Sequence, residues 1–272
     1  LFSELLSPVL WLGGMALIFG CILGYASKVF AVEKDPNVPL IMDVLPGANC
    51  GGCGYPGCEA FAVATAAGKA NIDDCPVGGS AVAEKIGEIM GITSDGSQRM
   101  IARVICNGTD ENCTNKFDYY GVSDCKEAVI AMGGNKSCQY GCLGLGTCER
   151  VCPFDAIHVT KDNIAYVDEE KCTACGKCID ACPKIVIALV PASKGVHVDC
   201  NSKDKGKEVK ANCSVGCIGC KICVKNCPED AFSFENNLAK INYDKCTQCM
   251  ICVEKCPTKA ISGDSTKLKI NN

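Results

Sequence analysis

The chain runs to 272 residues, of which 26 are cysteine, two are histidine (His158 and His197) and one is tryptophan, Trp11. With 21% charged and 48% hydrophobic residues it is neither a disordered tail nor a wholly membrane-embedded protein. Two histidines nearly exclude His-rich zinc or copper sites, the absence of CxxCH excludes c-type haem, and a formal charge of −4 with no arginine after Arg150 offers no basic surface for nucleic acid.

From Leu5 to Ala26 no residue is charged. At about 1.5 Å per residue the run is roughly 30 Å long, the thickness of a bilayer's hydrocarbon core, and predicts a single transmembrane helix within residues 1–30. A cleavable signal peptide is the competing reading. It would place Lys or Arg ahead of a shorter apolar stretch, and the only charge ahead of this one is Glu4. Lys28, Glu33, Lys34 and Asp35 follow, and the two lysines place the bulk of the chain in the cytoplasm by the positive-inside rule. Gly20 and Gly24 form a GxxxG that would let another membrane helix approach, although glycine is common in such helices; Cys21 reads as a small apolar residue.

Residues 31–95 carry Cys50-Gly-Gly-Cys53-Gly-Tyr-Pro-Gly-Cys58 and then Cys75-Pro76. Glycines between ligands permit the positive φ angles and close approach that wrapping a bulky cluster requires. The stretch from Glu59 to Ala70 predicts a short helix joining the third ligand to the fourth. Four-cysteine zinc sites usually present two C-x2-4-C pairs, whereas here the fourth cysteine stands alone, so the spacing favours one [4Fe–4S] cluster.

The segment 96–135 holds Cys106, Cys113 and Cys125 among Gly, Asn and Asp residues. Two readings stay open for it: reduced structural cysteines, or a sixth cluster that Cys200 or Cys213 folds back to complete.

Two ferredoxin-like units follow, at 136–200 and 201–272. The run Cys172-x2-Cys175-x2-Cys178-x3-Cys182-Pro recurs as Cys217, Cys220, Cys223 and Cys227-Pro, and again as Cys246, Cys249, Cys252 and Cys256-Pro. This is the bacterial ferredoxin pattern, in which three cysteines hold one cube and the fourth ligates its neighbour. A fourth copy is altered. Cys142, Cys148 and Cys152 match Cys217, Cys223 and Cys227, but Leu145 stands where Cys220 does. Cys138, which aligns with Cys213, is the nearest replacement. The expected sets are therefore Cys138, Cys142, Cys148 with Cys182; Cys172, Cys175, Cys178 with Cys152; Cys217, Cys220, Cys223 with Cys256; and Cys246, Cys249, Cys252 with Cys227. Iron held by these cysteines makes five [4Fe–4S] clusters, or six with the undecided thiols.

Between ligands, Ile157–Val159 and Ile164–Val167, and likewise Phe232–Phe234 and Leu238–Ile241, flank polar residues and predict β-hairpins. His158, Tyr166 and His197 fall in such strands and read as structural. A disulfide scaffold fits short secreted chains, not a long one anchored with its bulk inside the cell. The fold class is α+β: a single transmembrane helix, a small [4Fe–4S] domain and two ferredoxin-like 2[4Fe–4S] units.

A four-cysteine cube has no open position, so it passes single electrons and transforms no substrate. No GxGxxG opens a helix after a strand, no P-loop occurs, and no residue reads as catalytic. Five close centres suit a relay from a soluble acidic ferredoxin to a membrane partner. Lys194, Lys203, Lys205, Lys207 and Lys210 could steer that ferredoxin, or could simply solvate a loop.

The membrane span, the CGGCGYPGC…CP domain and the ferredoxin repeats together resemble the B subunits of Rnf complexes, from Leu5 to about Ile261. The first domain is also similar to iron–sulfur domains of corrinoid and CO-dehydrogenase-associated proteins, which lack the anchor. The resemblance implies a ferredoxin-facing subunit of an ion-pumping ferredoxin:NAD+ oxidoreductase, with NAD and flavin sites on other membrane and peripheral subunits. Shorter family members have one ferredoxin unit, so the second unit and Cys106, Cys113 and Cys125 go beyond the minimal pattern.

Overall fold

The structure, a computed structural model, describes residues 2–29, 35–93 and 98–264. Glu33 and Lys34, expected to flank the membrane span, and the tail from 265 onward lie outside the described residues. Helix α1 (Phe2–Val29) is 28 residues long, about 42 Å, and its Trp11–Lys28 stretch has a mean hydropathy of 1.3 with none of it buried. It is one helix long and apolar enough to cross a membrane. Nothing lies within 4 Å of the Cβ positions of Gly13, Gly14, Gly20 and Gly24, so this small-residue face is open.

Helices α2 (Asn37–Val44), α3 (Cys58–Ala66) and α4 (Gly79–Met90) close over Ile41, Phe61, Ile86 and Ile72, with Cys75 in the same core. The small Ala62 is fully buried and lets the helices approach. The helix expected over 59–70 ends at Ala66, because Gly68 turns left-handed (φ 68°) and the amides of Gly68 and Lys69 bond back to Thr65 and Ala64.

Beyond residue 98 the chain builds the same unit twice. The first contains β1 (Met100–Val104), α5 (Cys125–Ile130), α6 (Thr147–Arg150), β2 (Ile157–Val159), β3 (Ala165–Val167), α7 (Lys177–Ala181) and β4 (Ile187–Pro191). The second contains β5 (Val196–Val198), α8 (Gly206–Asn212), α9 (Ile222–Asn226), β6 (Phe232–Glu235), β7 (Leu238–Ile241), α10 (Ile251–Glu254) and β8 (Ile261–Gly263). Both expected hairpins form, as the antiparallel pairs β2–β3 and β6–β7. Asn236 and Asn237 both take positive φ (50° and 63°) and close the second hairpin as a two-residue turn of the type that matches strand twist. His158 faces Tyr166 across the first hairpin, and His197 is buried in β5, bonded to the Tyr243 hydroxyl (2.8 Å) and the Lys194 carbonyl (3.0 Å).

The outer strand pairs move two expected boundaries. β1 pairs antiparallel with β4, so the presumed connector 96–135 supplies a strand to the first unit. β5 pairs antiparallel with β8, so residues 196–198, expected in the first unit, pair with a strand of the second. Short runs such as Val-His-Val have no periodicity to declare their partner, and only long-range pairing places them. In register the units coincide: Val104 faces Ile187 as Val198 faces Ile261. The amide of Ile105 bonds Val186 (2.8 Å) just as that of Asp199 bonds Ala260 (2.8 Å).

The repeat extends to backbone conformation. Left-handed residues recur in pairs: Asp155 and Asp230 (φ 50° and 48°), Ala174 and Gln248 (56° and 63°), Ile185 and Lys259 (53° and 53°). Left-handed geometry is disfavoured for residues with a Cβ, most of all a β-branched one such as Ile185. Its recurrence at matching positions marks a backbone dictated by what the loops enclose. Arg103 joins the units through a forked pair with Asp199 (3.1 and 3.2 Å) and a bond to the Ser262 hydroxyl (2.9 Å).

Candidate iron–sulfur sites

All 26 cysteines are free thiols, and 25 of them fall into six groups in the three units that follow α1. In the N-terminal domain Cys50 and Cys53 lie on the glycine-rich loop, Cys58 opens α3, and Cys75 follows the 3-10 turn Ile72–Asp74. The Asn49 side-chain carbonyl accepts the Cys58 amide (2.8 Å) and ties the loop to the helix start. Burial, offset by a Gly78 amide, raises the Cys75 thiol above its ordinary range, and the neighbouring Cys53, Cys50 and Cys58 add to the rise.

In the first ferredoxin unit one pocket is lined by Cys152, Cys172, Cys175 and Cys178. The Ala102 amide donates to the Cys172 sulfur (3.3 Å) and the Ala156 amide to the Cys152 sulfur (3.4 Å). Burial and the Cys172, Cys175 and Cys152 sulfurs push Cys178 up to about 12. In the second unit Cys217, Cys220, Cys223 and Cys256 line the matching kind of pocket, and Cys227, Cys246, Cys249 and Cys252 gather beside it. The Ala231 amide donates to Cys227 (3.4 Å), as Ala156 does to Cys152. These three groups bring together the cysteines expected from the ferredoxin spacing, the crossed fourth member included.

The remaining pocket of the first unit differs from expectation. It is lined by Cys125, Cys142, Cys148 and Cys182, not by Cys138. Cys125 opens α5, whose N-cap Asp124 accepts the amides of Lys126 and Glu127 and pairs with Arg150 (2.5 Å). The Cys125 amide donates to the Thr147 hydroxyl (2.7 Å) and the Ser123 hydroxyl to the Leu145 carbonyl (3.4 Å). These bonds pin the start of α5 against the loop in which Leu145 replaces a cysteine. Cys148 is driven up to about 12, by burial first and then by Cys142, Cys125 and Cys182.

Cys138 lies elsewhere, in a sixth thiol group with Cys106, Cys113, Cys200 and Cys213, around a cavity that encloses ≈ 450 Å³ including its open mouth. Cys125 is thus separated from the other undecided thiols. The Cys106 sulfur accepts the amides of Gly108 and Cys142 (both 3.4 Å), and the Cys200 sulfur those of Ser202 (3.5 Å) and Cys217. Lys136, fully buried between this cavity and the Cys142 pocket, donates to the carbonyls of Gly108 (2.6 Å) and Asn163 (2.9 Å).

The donor set fits iron–sulfur clusters. Each group offers soft thiols, four of the groups around a cavity, and in most of them backbone amides are aimed at sulfur. Raised thiol pKa values mean protons that a bound cation must displace. The groups also adjoin one another. A Cβ on Gly52 would lie 3.1 Å from the Cα and carbonyl oxygen of Cys175, so the first domain's cluster loop touches that of the first ferredoxin unit backbone to backbone.

Comparison with known proteins agrees. A family model for an Fe-S cluster domain matches residues 45–77, and two models for a 4Fe-4S dicluster domain match 137–186 and 216–261. The chain is 53% identical over 244 residues (90% of its length, 73% of the relative's) to the B subunit of the Na(+)-translocating ferredoxin:NAD(+) oxidoreductase complex of Acetobacterium woodii. The chain belongs to the family of B subunits of Rnf-type ion-translocating oxidoreductases. Members of this family from Methanosarcina acetivorans and Clostridium ljungdahlii are 45% and 44% identical, over 90% and 85% of this chain and 93% and 82% of theirs.

Proposed function

We infer that this chain is the membrane-anchored electron-transfer subunit of an Rnf-type ferredoxin:NAD+ oxidoreductase, carrying electrons from reduced ferredoxin toward the membrane subunits while the NAD site lies on another subunit. The observation that carries this reading is five separate groups of four thiols along one chain that also bears a long apolar helix. The residues that would hold [4Fe–4S] clusters are Cys50, Cys53, Cys58 and Cys75; Cys125, Cys142, Cys148 and Cys182; Cys152, Cys172, Cys175 and Cys178; Cys217, Cys220, Cys223 and Cys256; and Cys227, Cys246, Cys249 and Cys252. Bound there, such clusters supply reversible one-electron chemistry.

The protein's own part is to fix spacing and shielding. Burial and amide N–H groups hold the sulfurs, and the abutting loops keep neighbouring sites close. Cys220 and Cys249 are exposed at the second unit, which suits that end to meeting a soluble donor. Lys203, Lys205, Lys207 and Lys210 are exposed on and before α8 in the same unit, while Lys194 is engaged with the Cys246 carbonyl (2.9 Å). The four exposed lysines are the docking surface for an acidic ferredoxin, with the iron–sulfur domains on the cytoplasmic face.

Anaerobic purification of the full chain tests the reading: a brown protein with at least about 20 iron and 20 acid-labile sulfide per chain is expected, at four per cube. Colourless or zinc-loaded protein overturns it. Exchanging the four lysines for glutamine should slow reduction by ferredoxin several-fold at low salt and little at high salt. Equal rates at both salts place docking elsewhere. Recovery without integral-membrane partners would instead favour a stand-alone polyferredoxin.

A further inference from the structure

The cavity of the sixth thiol group lies where the two ferredoxin units meet, and its thiols obey the repeat that relates them. Cys106 and Cys200 each follow the outer strand of their unit, two residues after the paired Val104 and Val198. Each starts a turn in which the amide two residues on, Gly108 or Ser202, donates to its own sulfur. Each sulfur also accepts the amide of an equivalent cluster cysteine, Cys142 or Cys217. Cys138 and Cys213 are the second such pair. Each lies four residues before that same cysteine, and each sulfur takes an amide two residues on, from Tyr140 or Val215.

Cys113 is the fifth thiol and has no counterpart, because it comes from the 107–137 stretch, in whose place the second unit has the shorter, cysteine-free 201–212. It forms an antiparallel backbone bridge with Cys213, which sets the two side chains next to each other. Sulfurs on different corners of a cube stand apart, so only one of this adjacent pair can serve as a corner ligand. The repeat selects Cys213.

We propose that Cys106, Cys138, Cys200 and Cys213, two from each ferredoxin unit, hold a sixth [4Fe–4S] cluster that joins the two units, with Cys113 next to Cys213. The proposal rests on the iron–sulfur reading above and extends it. The Cys142 amide on Cys106 and the Cys217 amide on Cys200 place this site directly between a site of the first unit and a site of the second. The second unit thereby connects to the first domain as one uninterrupted row. The four thiols give up their protons when the cluster is bound.

Iron and acid-labile sulfide in the anaerobic full-length chain decide it. About 24 of each per chain is expected, falling to about 20 in Cys106→Ala, Cys200→Ala and Cys213→Ala and staying near 24 in Cys113→Ala. A wild-type value of about 20 overturns the sixth site and leaves the five-site reading standing, whereas a value near zero overturns both. Loss of four irons in Cys113→Ala but not in Cys213→Ala overturns the ligand choice. The unaltered chain supplies a check free of folding effects: EPR of the fully reduced protein should integrate to about six spins, and five refutes the site.

Discussion

Lys136 is the one fully buried cation among the described residues, and its surroundings say what it does. Its ammonium bonds two carbonyls and stands 3.9 Å from Asp110, and its charge partly offsets the burial that raises the Cys106 and Cys142 thiols. A positive charge beside cysteine-ligated clusters favours the reduced, more negative state. Lys136→Met should therefore lower the midpoint potential of the adjacent sites by roughly 40 mV for each ~1 kcal/mol of attraction lost. EPR-monitored redox titration reads this directly, and unmoved midpoints refute the role. The lysine could not be singled out from sequence, since a lone Lys in a polar stretch is ordinarily solvent-exposed. Cys138 shows the opposite case. Its match with Cys213 is plain in the repeat, and the second unit, whose ferredoxin motif is complete, still has Cys213. A residue repeated where no ligand is missing cannot exist to replace one. Its nearness in sequence suggested the Cys142 pocket, whereas it lines the cavity of Cys106 and Cys200.

At the scale of elements, α5 is the device by which the first unit completes its pocket. The ferredoxin loop lacks a cysteine at Leu145, and a helix from an insertion supplies Cys125 through space. Cys125→Ala should cost about four irons per chain, and adding Leu145→Cys should restore them by recreating the ferredoxin spacing. If iron content fails to recover in the double variant, the helix does more than supply a sulfur. Asp124→Ala removes the N-cap and the Arg150 pair; a loss of about 1 kcal/mol in stability is expected by denaturant titration. The hairpins, the α3 helix and three of the four ferredoxin groups were legible because spacing and alternation are local signals. The partnerships of β1 with β4 and β5 with β8 were not, since three- and five-residue strands acquire a partner only in the folded chain.

At the scale of the molecule, the chain runs from an apolar helix through a small helical domain into two copies of one unit clamped by Arg103, Asp199 and Ser262. Composition and hydropathy revealed the anchor and the reliance on sulfur, whereas the order of the groups emerged only from contacts. One of those contacts is the seam at Gly52, where the absence of a side chain lets two loops come together. Electrical insulation between neighbouring conductors depends on thickness, and here no side chain of residue 52 adds to the layer. Gly52→Leu would wedge the two loops apart, pressing on Pro76 as well as on Cys175, and should slow electron passage between the small domain and the rest in protein whose iron content still matches the unaltered chain. Rapid-freeze kinetics should find the Cys50–Cys75 centre filling last and markedly late. A small residue there is thus a setting of conductance, and one methyl group is the smallest step by which it could be turned down.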